Sequence, residues 1–183
     1  RPSNRIRLGG SGVDLDRMDF GIVAALQNDA RLSNKELAAR VGLAPSSCLE
    51  RVRRLTEAGV LRAFHAEVDP RALGITLQAL VFVRLRHRSR KTVREFRHHA
   101  LALAESIAVY HVAGQHDFLV HVGVRDADHL RDLALDAFTT RPEVAQIETH
   151  LIFEHMRRAL RPVPATPAEP LSARRARRRP AAE

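Results

Sequence analysis

Six polar side chains within nine residues form the part of the sequence best suited to chemistry with another molecule. They are Ser46, Ser47, Glu50, Arg51, Arg53 and Arg54. At roughly 100° per residue, these side chains lie on the side of a helix opposite Cys48, Val52 and Leu55. Short hydroxyls, a carboxylate and guanidiniums can bond base edges and phosphates, so this flank is typical of a helix that enters a major groove. An ordinary solvated, charged helix is the alternative.

Two short helices joined by a tight turn are predicted to position this flank. Ser33 and Glu36 have the spacing of a capping box, which starts the first helix, and Gly42 ends it. Pro45 suits the first position of the second helix, which is predicted to end near residue 58, before Gly59. A basic second helix after a short Gly-containing turn is typical of a helix-turn-helix.

A supporting helix precedes this pair, and Asp14 or Asp16 can cap it. Its apolar stripe consists of Leu15, Met18, Ile22, Ala25 and Leu26. Residues 14–60 are therefore predicted to form a three-helix DNA-binding domain. Residues 1–13 are rich in Gly, Ser and Arg and lack periodicity, which predicts a flexible arm.

The second half of the sequence has a strand-helix-strand pattern that occurs twice. The predicted strands are residues 79–86, 107–113, 118–124 and 144–153, and the predicted helices are residues 91–104 and 127–138. This order predicts an α+β fold over residues 77–155, a ferredoxin-like sandwich with both helices on one face of an antiparallel sheet. Its other face is apolar and bare, which predicts self-association. Residues 61–76 are predicted to be a connecting strand and hinge.

The charge balance favours an acidic partner such as DNA or RNA, because the chain has a formal net charge of +9 and a pI near 11.2. Residues 161–183 are rich in Arg, Pro and Ala, which predicts a disordered tail. Its arginine cluster is expected to be solvated, with sequence-independent phosphate contact as the alternative. The single cysteine, Cys48, is expected to be a core residue and fits a reducing cytoplasm. No apolar run suggests a membrane span or signal peptide.

From about residue 15 to residue 153, the sequence resembles the Lrp/AsnC family of transcriptional regulators. The motifs that carry the resemblance are Leu15-Asp16…Asp19, Asp29-Ala30-Arg31, Glu36-Leu37-Ala38, Arg51-Val52-x-x-Leu55, Gly59-Val60, Val68-Asp69-Pro70…Leu73-Gly74 and Gly114-x-x-Asp117. The resemblance implies a winged helix-turn-helix regulator that dimerises through its C-terminal domain, often assembles into octamers, and responds to a small molecule, usually an amino acid. One departure is Ala44, where the family often has a Ser that caps the recognition helix.

The effector loop implied by the resemblance corresponds to Ala113, Gly114, Gln115, His116 and Asp117. Backbone amides around Gly114 can bind the carboxylate of a free amino acid, and Asp117 can bind its ammonium. The alternative is a β-turn in which Gly114 has a positive φ and Asp117 bonds the local backbone. Family members commonly carry an aromatic residue where His116 stands, which leaves the identity of the effector open.

No metal site, cofactor or catalytic site is predicted. His111, His116 and His121 are evenly spaced, but at about 3.3 Å per residue in a strand the first two lie roughly 15 Å apart, too far to share an ion. The sequence has no recognisable nucleophile triad, P-loop or GxGxxG. It therefore predicts a non-enzymatic, sequence-specific regulator. Two other classes stay open: a metabolic or small-molecule-binding protein whose helical part is a dimerisation appendage, and a nonspecific chromosome-organising protein that uses the Arg-rich tail.

Overall fold

A computed structural model describes residues 6–7 and 14–162 of the chain. The chain divides into two compact units, one of residues 1–66 with 157–183 and one of residues 67–156, and each has its own hydrophobic core. The predicted tail from residue 163 onward and most of the predicted N-terminal arm lie outside the described residues. Among the described helices, none is long and apolar enough to cross a membrane.

Three helices build the first unit, and the sequence predicted their ends. They are α1 (Arg17–Asn28), α2 (Asn34–Val41) and α3 (Pro45–Glu57). Asp16 and Ser33 are the N-caps of α1 and α2, each within a capping box, and Pro45 opens α3. Gly42 ends α2 with a φ of 71°, a left-handed conformation that favours glycine.

A short strand pair precedes the helices of the first unit. Strand β1 (Ile6–Arg7) pairs antiparallel with β2 (Asp14–Leu15), so the predicted arm contains a paired strand. The sequence predicted a flexible arm over residues 1–13, and residues 6–7 of it form a paired strand instead. Leu15 is only 3% exposed in the core of the unit, which fixes β2 and lets it offer its backbone groups to β1.

The predicted connecting strand between the units is absent. Residues 62–69 have no regular structure and are exposed, and a 3-10 turn (Pro70–Leu73) follows them. A strand requires a neighbour for its N–H and C=O groups, and no described strand pairs with this segment. Its strand-forming residue types therefore have no effect. The Pro-containing turn that was predicted at the end of this segment is present.

The second unit is the predicted ferredoxin-like sandwich. Its elements are β3 (Leu77–Leu85), α4 (Arg90–Ala102), β4 (Ser106–His111), β5 (Phe118–Val124), α5 (Ala127–Leu133) continued by a π-helical turn (Ala134–Thr139), and β6 (Val144–Leu151). The sheet order is β4-β5-β3-β6, and all neighbours are antiparallel. Each helix therefore connects two strands that have another strand between them.

The two faces of this sheet differ in burial. Alternate residues of β5, from Phe118 to Val124, are no more than 1% exposed and pack with Phe96 of α4 and Phe138 of the π-helical turn. The outer face carries Leu80, Phe82, Leu119 and Tyr110, which are half-buried or exposed. One face thus forms the core, and the other stays open.

Candidate functional site

Helix α3 has one packed face and one free face. Cys48 and Leu55 are 0% exposed in the core of the first unit, and Val52 is half-buried beside them. The exposed side chains on the other side include Ser46, Ser47, Glu50 and Arg53. The free face is the surface that α3 can present to another molecule.

The ion pairs on the free face are exposed to solvent. The Arg53 guanidinium donates to Glu50 at 3.0 Å and lies 3.6 Å from a Glu57 carboxylate oxygen. These three side chains are between 63 and 66% exposed. Exposed ion pairs of this kind are screened by water and contribute little to stability, so Arg53 can exchange them for a phosphate or a base edge.

Arg51 and Arg54, which the sequence placed in the same set, have internal partners. Arg51 Nη1 donates to Asp16 Oδ2 and to Asp19 Oδ1, both at 2.8 Å. Arg54 Nη2 donates to Asp19 Oδ2 at 2.6 Å. The side chains of Arg51 and Arg54 are 28 and 47% exposed, whereas that of Asp19 is 1% exposed. These four residues, the acid-arginine cluster, join α3 to the start of α1.

The electrostatics of the acid-arginine cluster favour its charged form. Partial burial alone would raise the pKa of Asp16, but the Asp19 amide and the Arg51 guanidinium outweigh it and hold that pKa below its ordinary value. The hydrogen bond from Arg51 to Asp16 likewise raises the pKa of the arginine. Both shifts favour the ionised Asp16–Arg51 pair, and the hydrogen bonds of the cluster fix α3 against α1.

Leu49 also belongs to the free face, although the sequence analysis did not select it. Its side chain is 59% exposed and follows Ser46 by three residues, with Arg53 four residues later. Apolar side chains at this place in a recognition helix can contact thymine methyl groups. The same helical wheel that selected Ser46 and Arg53 places Leu49 next to them, so the signal was present in the sequence.

The loop between β4 and β5 borders an open cleft of about 400 Å³. Of the predicted effector residues, Ala113, Gly114 and Asp117 line it. The other lining residues are Arg88, Arg90, Val93, His111 and Val112. Gly114 has a φ of 137°, so a side chain at this position would strain the loop.

Asp117 is buried, and its carboxylate is already bonded within the protein. Oδ2 accepts the Leu85 backbone N–H at 2.8 Å, and Oδ1 accepts Arg88 Nε at 2.7 Å. Arg88 Nη2 also donates to the Gly114 carbonyl at 3.3 Å. Asp117 thus bonds backbone, as the turn alternative proposed, but the amide belongs to β3 and not to the local loop. Its main structural effect is to orient the Arg88 guanidinium at the cleft.

Gln115 and His116 do not line the cleft. Gln115 is exposed, and His116 lies on the outer face of the sheet, 3.3 Å from Glu148 and edge-on to the Phe82 ring. The structure therefore divides the five predicted residues between two surfaces. The predicted effector set also omitted the cleft residue Arg88, because only the pairing of β3 with β5 brings residue 88 to residue 117.

Comparisons with known proteins address both units. Residues 15–62 match the winged helix-turn-helix DNA-binding family, and residues 78–160 match the Lrp/AsnC ligand binding domain. The chain is 44% identical over 146 residues to the HTH-type transcriptional regulator AldR of Mycolicibacterium smegmatis, a match that covers 80% of this chain and 85% of that one. The chain belongs to the Lrp/AsnC family. The predicted fold class, family and regulatory function are thereby confirmed.

Other Lrp/AsnC relatives agree. The chain is 34% identical to the leucine-responsive regulatory protein of Escherichia coli, across 82% of this chain and 92% of that protein. The crystal structure of a Neisseria meningitidis transcriptional regulator in complex with L-Met superposes with a TM-score of 0.73 at 26% identity, covering 79% of this chain and 94% of that one. The departure from the Lrp/AsnC pattern at Ala44 has a structural consequence, because α3 begins there without a side-chain cap.

Proposed function

We propose that this regulator reads a specific duplex through the free face of α3, works as a homo-oligomer in the cytoplasm, and changes its assembly when an amino acid binds beside Arg88. The observation that carries the DNA proposal is the division of α3 into a packed apolar face and an exposed polar face. A buried helix or a dimerisation appendage would need apolar residues on that second face.

The residues of α3 have different proposed roles. Ser46 and Ser47, in the first turn, donate to phosphates or bases, Glu50 accepts from a base edge such as the cytosine amino group, and Arg53 binds guanine or phosphate. Arg51 and Arg54 act through the acid-arginine cluster, which holds α3 at a fixed angle. The exposed part of Arg54 can also reach a phosphate while its Nη2 stays on Asp19.

The proposed oligomer uses the open face of the sheet. This face carries Leu80, Phe82 and Leu119, which are all half-buried. Phe82 and Leu119 are neighbours because they pair across β3 and β5. Covering such a face with a second copy removes apolar surface from water. Phe82→Glu should therefore lower the mass in sedimentation, whereas Arg125→Glu, an exposed change elsewhere on the second unit, should leave it unchanged.

The proposed effector site is the cleft at Arg88. The Arg88 guanidinium is oriented by Asp117 and is 57% exposed, so its remaining N–H groups can bind a carboxylate. The carboxylate of Asp117 keeps acceptor capacity for an ammonium, since an ionised carboxylate has about four acceptor positions. The L-Met complex of the Neisseria relative supports an amino acid as the ligand class.

Ligand binding is proposed to act by a population shift. An effector that binds one assembly better than another favours that assembly and so changes how paired α3 helices meet successive half-sites. The sign of regulation follows from which assembly the operator prefers.

Selection of duplexes from a random pool tests the DNA proposal. The protein should enrich a common sequence, and on that sequence Ser47→Ala and Arg53→Ala should each weaken binding by roughly tenfold, about 1.4 kcal/mol. Arg125→Ala is the matched control and should leave the affinity within twofold. Binding without enrichment would favour the nonspecific chromosome-organising class, and unchanged affinity of both α3 variants would place the interface elsewhere.

Thermal shifts with each of the twenty amino acids test the effector proposal. One or a few should raise the melting temperature of the wild type, and the shift should disappear in Arg88→Ala but persist in Arg125→Ala. A shift that Arg88→Ala retains would move the ligand to another site. No shift with any amino acid would remove the amino-acid class.

A further inference from the structure

The charges of the second unit are segregated between its two helices. Residues 84–99, which contain the end of β3 and most of α4, carry seven Lys or Arg side chains and one acid, Glu95. Along α5 and its π-helical turn, by contrast, Asp128, Asp132 and Asp136 accompany a single cation, Arg131. A solvated helix normally mixes both signs, so the α4 segment calls for a separate explanation.

Three arginines of α4 form one stripe. Arg90, Arg94 and Arg97 are spaced i, i+4 and i+7, which places them on one side of the helix, while Phe96 and Ala100 are buried at 0% exposure on the other. All three are exposed. We call them the α4 stripe.

Within the part of the chain that the structure describes, the α4 stripe has no counter-charge. Among residues 14–162, no carboxylate lies within ion-pair distance of these three guanidiniums, whereas Lys91 faces Glu95 and Arg131 pairs with two aspartates. Like charges at these spacings destabilise a helix. The packing of α4 needs only its apolar side, so the stripe adds repulsion to the isolated domain without stabilising it. An external anion relieves that repulsion.

We propose that the α4 stripe is a second DNA-contacting surface, which binds phosphates of the duplex outside the base-reading site of α3. This inference rests on the proposed DNA binding by the helix-turn-helix. Seven residues of helix span about 10 Å at 1.5 Å per residue, and a duplex carries about six phosphates over that length. Arginine is suited to bidentate phosphate contact, and such contacts are independent of sequence. The other anionic surface that the stripe could meet is the acidic α5 of a second copy.

The test is a salt titration of binding to a mixed-sequence duplex of about 150 bp, a length that leaves room for contacts beyond one α3 site. The proteins compared are the wild type, the double variant Arg94→Ala/Arg97→Ala, and the control Arg71→Ala/Arg125→Ala. Both variants remove two exposed arginines and so lower the net charge equally. Arg94→Lys/Arg97→Lys keeps the charge at the stripe and should retain most of the salt dependence. Circular dichroism checks that each variant keeps its helices.

The expected result concerns the slope of log affinity against log salt. Its magnitude should fall by about 1.8 for each subunit whose stripe touches the duplex in Arg94→Ala/Arg97→Ala, and should not change in the control. An unchanged slope in the stripe variant, with normal wild-type binding, overturns the inference and leaves the α3 proposal standing. A lower oligomer mass with an unchanged slope also overturns it, and assigns the stripe to α5 of another copy. A wild type that binds no duplex overturns both proposals.

Discussion

Asp19 holds two of the three arginines of α3 by ion pairs. It lies in the first turn of α1, where its side chain accepts the Asp16 N–H of the capping box at 3.0 Å. The same carboxylate accepts from Arg51 and Arg54. One buried acid therefore completes a helix start and holds a neighbouring helix. It leaves Arg51 only 28% exposed, while Arg54 remains 47% exposed.

Asp19→Asn should destabilise the first unit by about 2 kcal/mol, because one guanidinium then bonds a neutral amide oxygen and the other loses its acceptor, since an amide nitrogen cannot accept. The amide oxygen can still accept the Asp16 N–H, so the capping box survives. Urea denaturation measures the free energy of unfolding. The control Glu57→Gln changes an exposed pair and should cost less than about 0.5 kcal/mol. Equal effects of the two substitutions would contradict the role of the acid-arginine cluster.

Asp16 gives the first unit a dependence on pH. Its pKa in the folded state lies below the ordinary value of 3.8, so the ionised carboxylate stabilises the fold. This stabilisation is fully present above that ordinary value and is lost as the pH falls through the lowered folded-state pKa. Unfolding free energies between about pH 6 and about pH 2 should fall more steeply in the wild type than in Asp16→Asn, which can still cap α1. Parallel curves would exclude a contribution from Asp16.

At the residue scale, the sequence predicted local roles better than distant ones. The helical wheel placed Cys48, Val52 and Leu55 on the packed face correctly, because spacing along one helix determines a face. It could not predict that Arg51 meets Asp16, 35 positions earlier, because that contact depends on the packing of α3 against α1. The contact between Arg88 and Asp117 was likewise not predictable from spacing, because it depends on the pairing of β3 with β5.

Among the elements, α3 begins without the cap that most helices have. Ala44 occupies the N-cap position with extended φ and ψ, and no side chain accepts the N–H groups of the first turn. The rigid φ of Pro45 offsets part of this defect, because proline suits the first helical position. Helix α3 therefore lacks the side-chain cap that both α1 and α2 have in their capping boxes.

Ala44→Ser should stabilise the first unit by about 1 kcal/mol, because the hydroxyl can accept an N–H from the first turn of α3. Chemical denaturation followed by circular dichroism measures the gain. Ala39→Ser, at an exposed position inside α2, is the matched control and should be neutral or slightly destabilising, since serine is a poorer helix former than alanine. A loss of stability in Ala44→Ser would mean that the hydroxyl cannot reach the amides.

Element boundaries were predictable wherever a local rule sets them. Ser33 with Glu36, Gly42 and Pro45 each determine a helix end through their own side chain or backbone preference. The connecting strand was predicted wrongly, because strand formation depends on a partner that residue types alone do not supply. Residues 62–69 include the strand formers Phe64 and Val68, but no described strand pairs with them.

At the scale of the whole molecule, the chain contains two hydrophobic cores that share no buried residue. One contains Ile22 and Leu55 and the other contains Phe96 and Val120. The chain passes between the two units twice, near residues 62–69 and near residues 153–157, and both segments are exposed and irregular. The two units should therefore lose their structure separately.

Calorimetry should show two unfolding transitions. Ile22→Ala should lower the melting temperature of only one transition, and Phe96→Ala that of only the other. Each substitution removes about 3 kcal/mol of burial and packing from its own core. Adding duplex DNA should raise the transition that Ile22→Ala lowers, which assigns it to the helix-turn-helix. A single transition shifted by both substitutions would show that the units unfold together.

The burial of the only cysteine has a practical consequence. Cys48 lies on the packed face of α3 at 0% exposure, and burial raises the pKa of its thiol, so the folded protein is protected from alkylating reagents. Alkylation of Cys48 then requires local opening of the first unit, and the alkylation rate reports how often α3 separates from the core. The labelling rate of Cys48 therefore measures the opening of α3, and an operator that binds α3 is expected to slow the labelling.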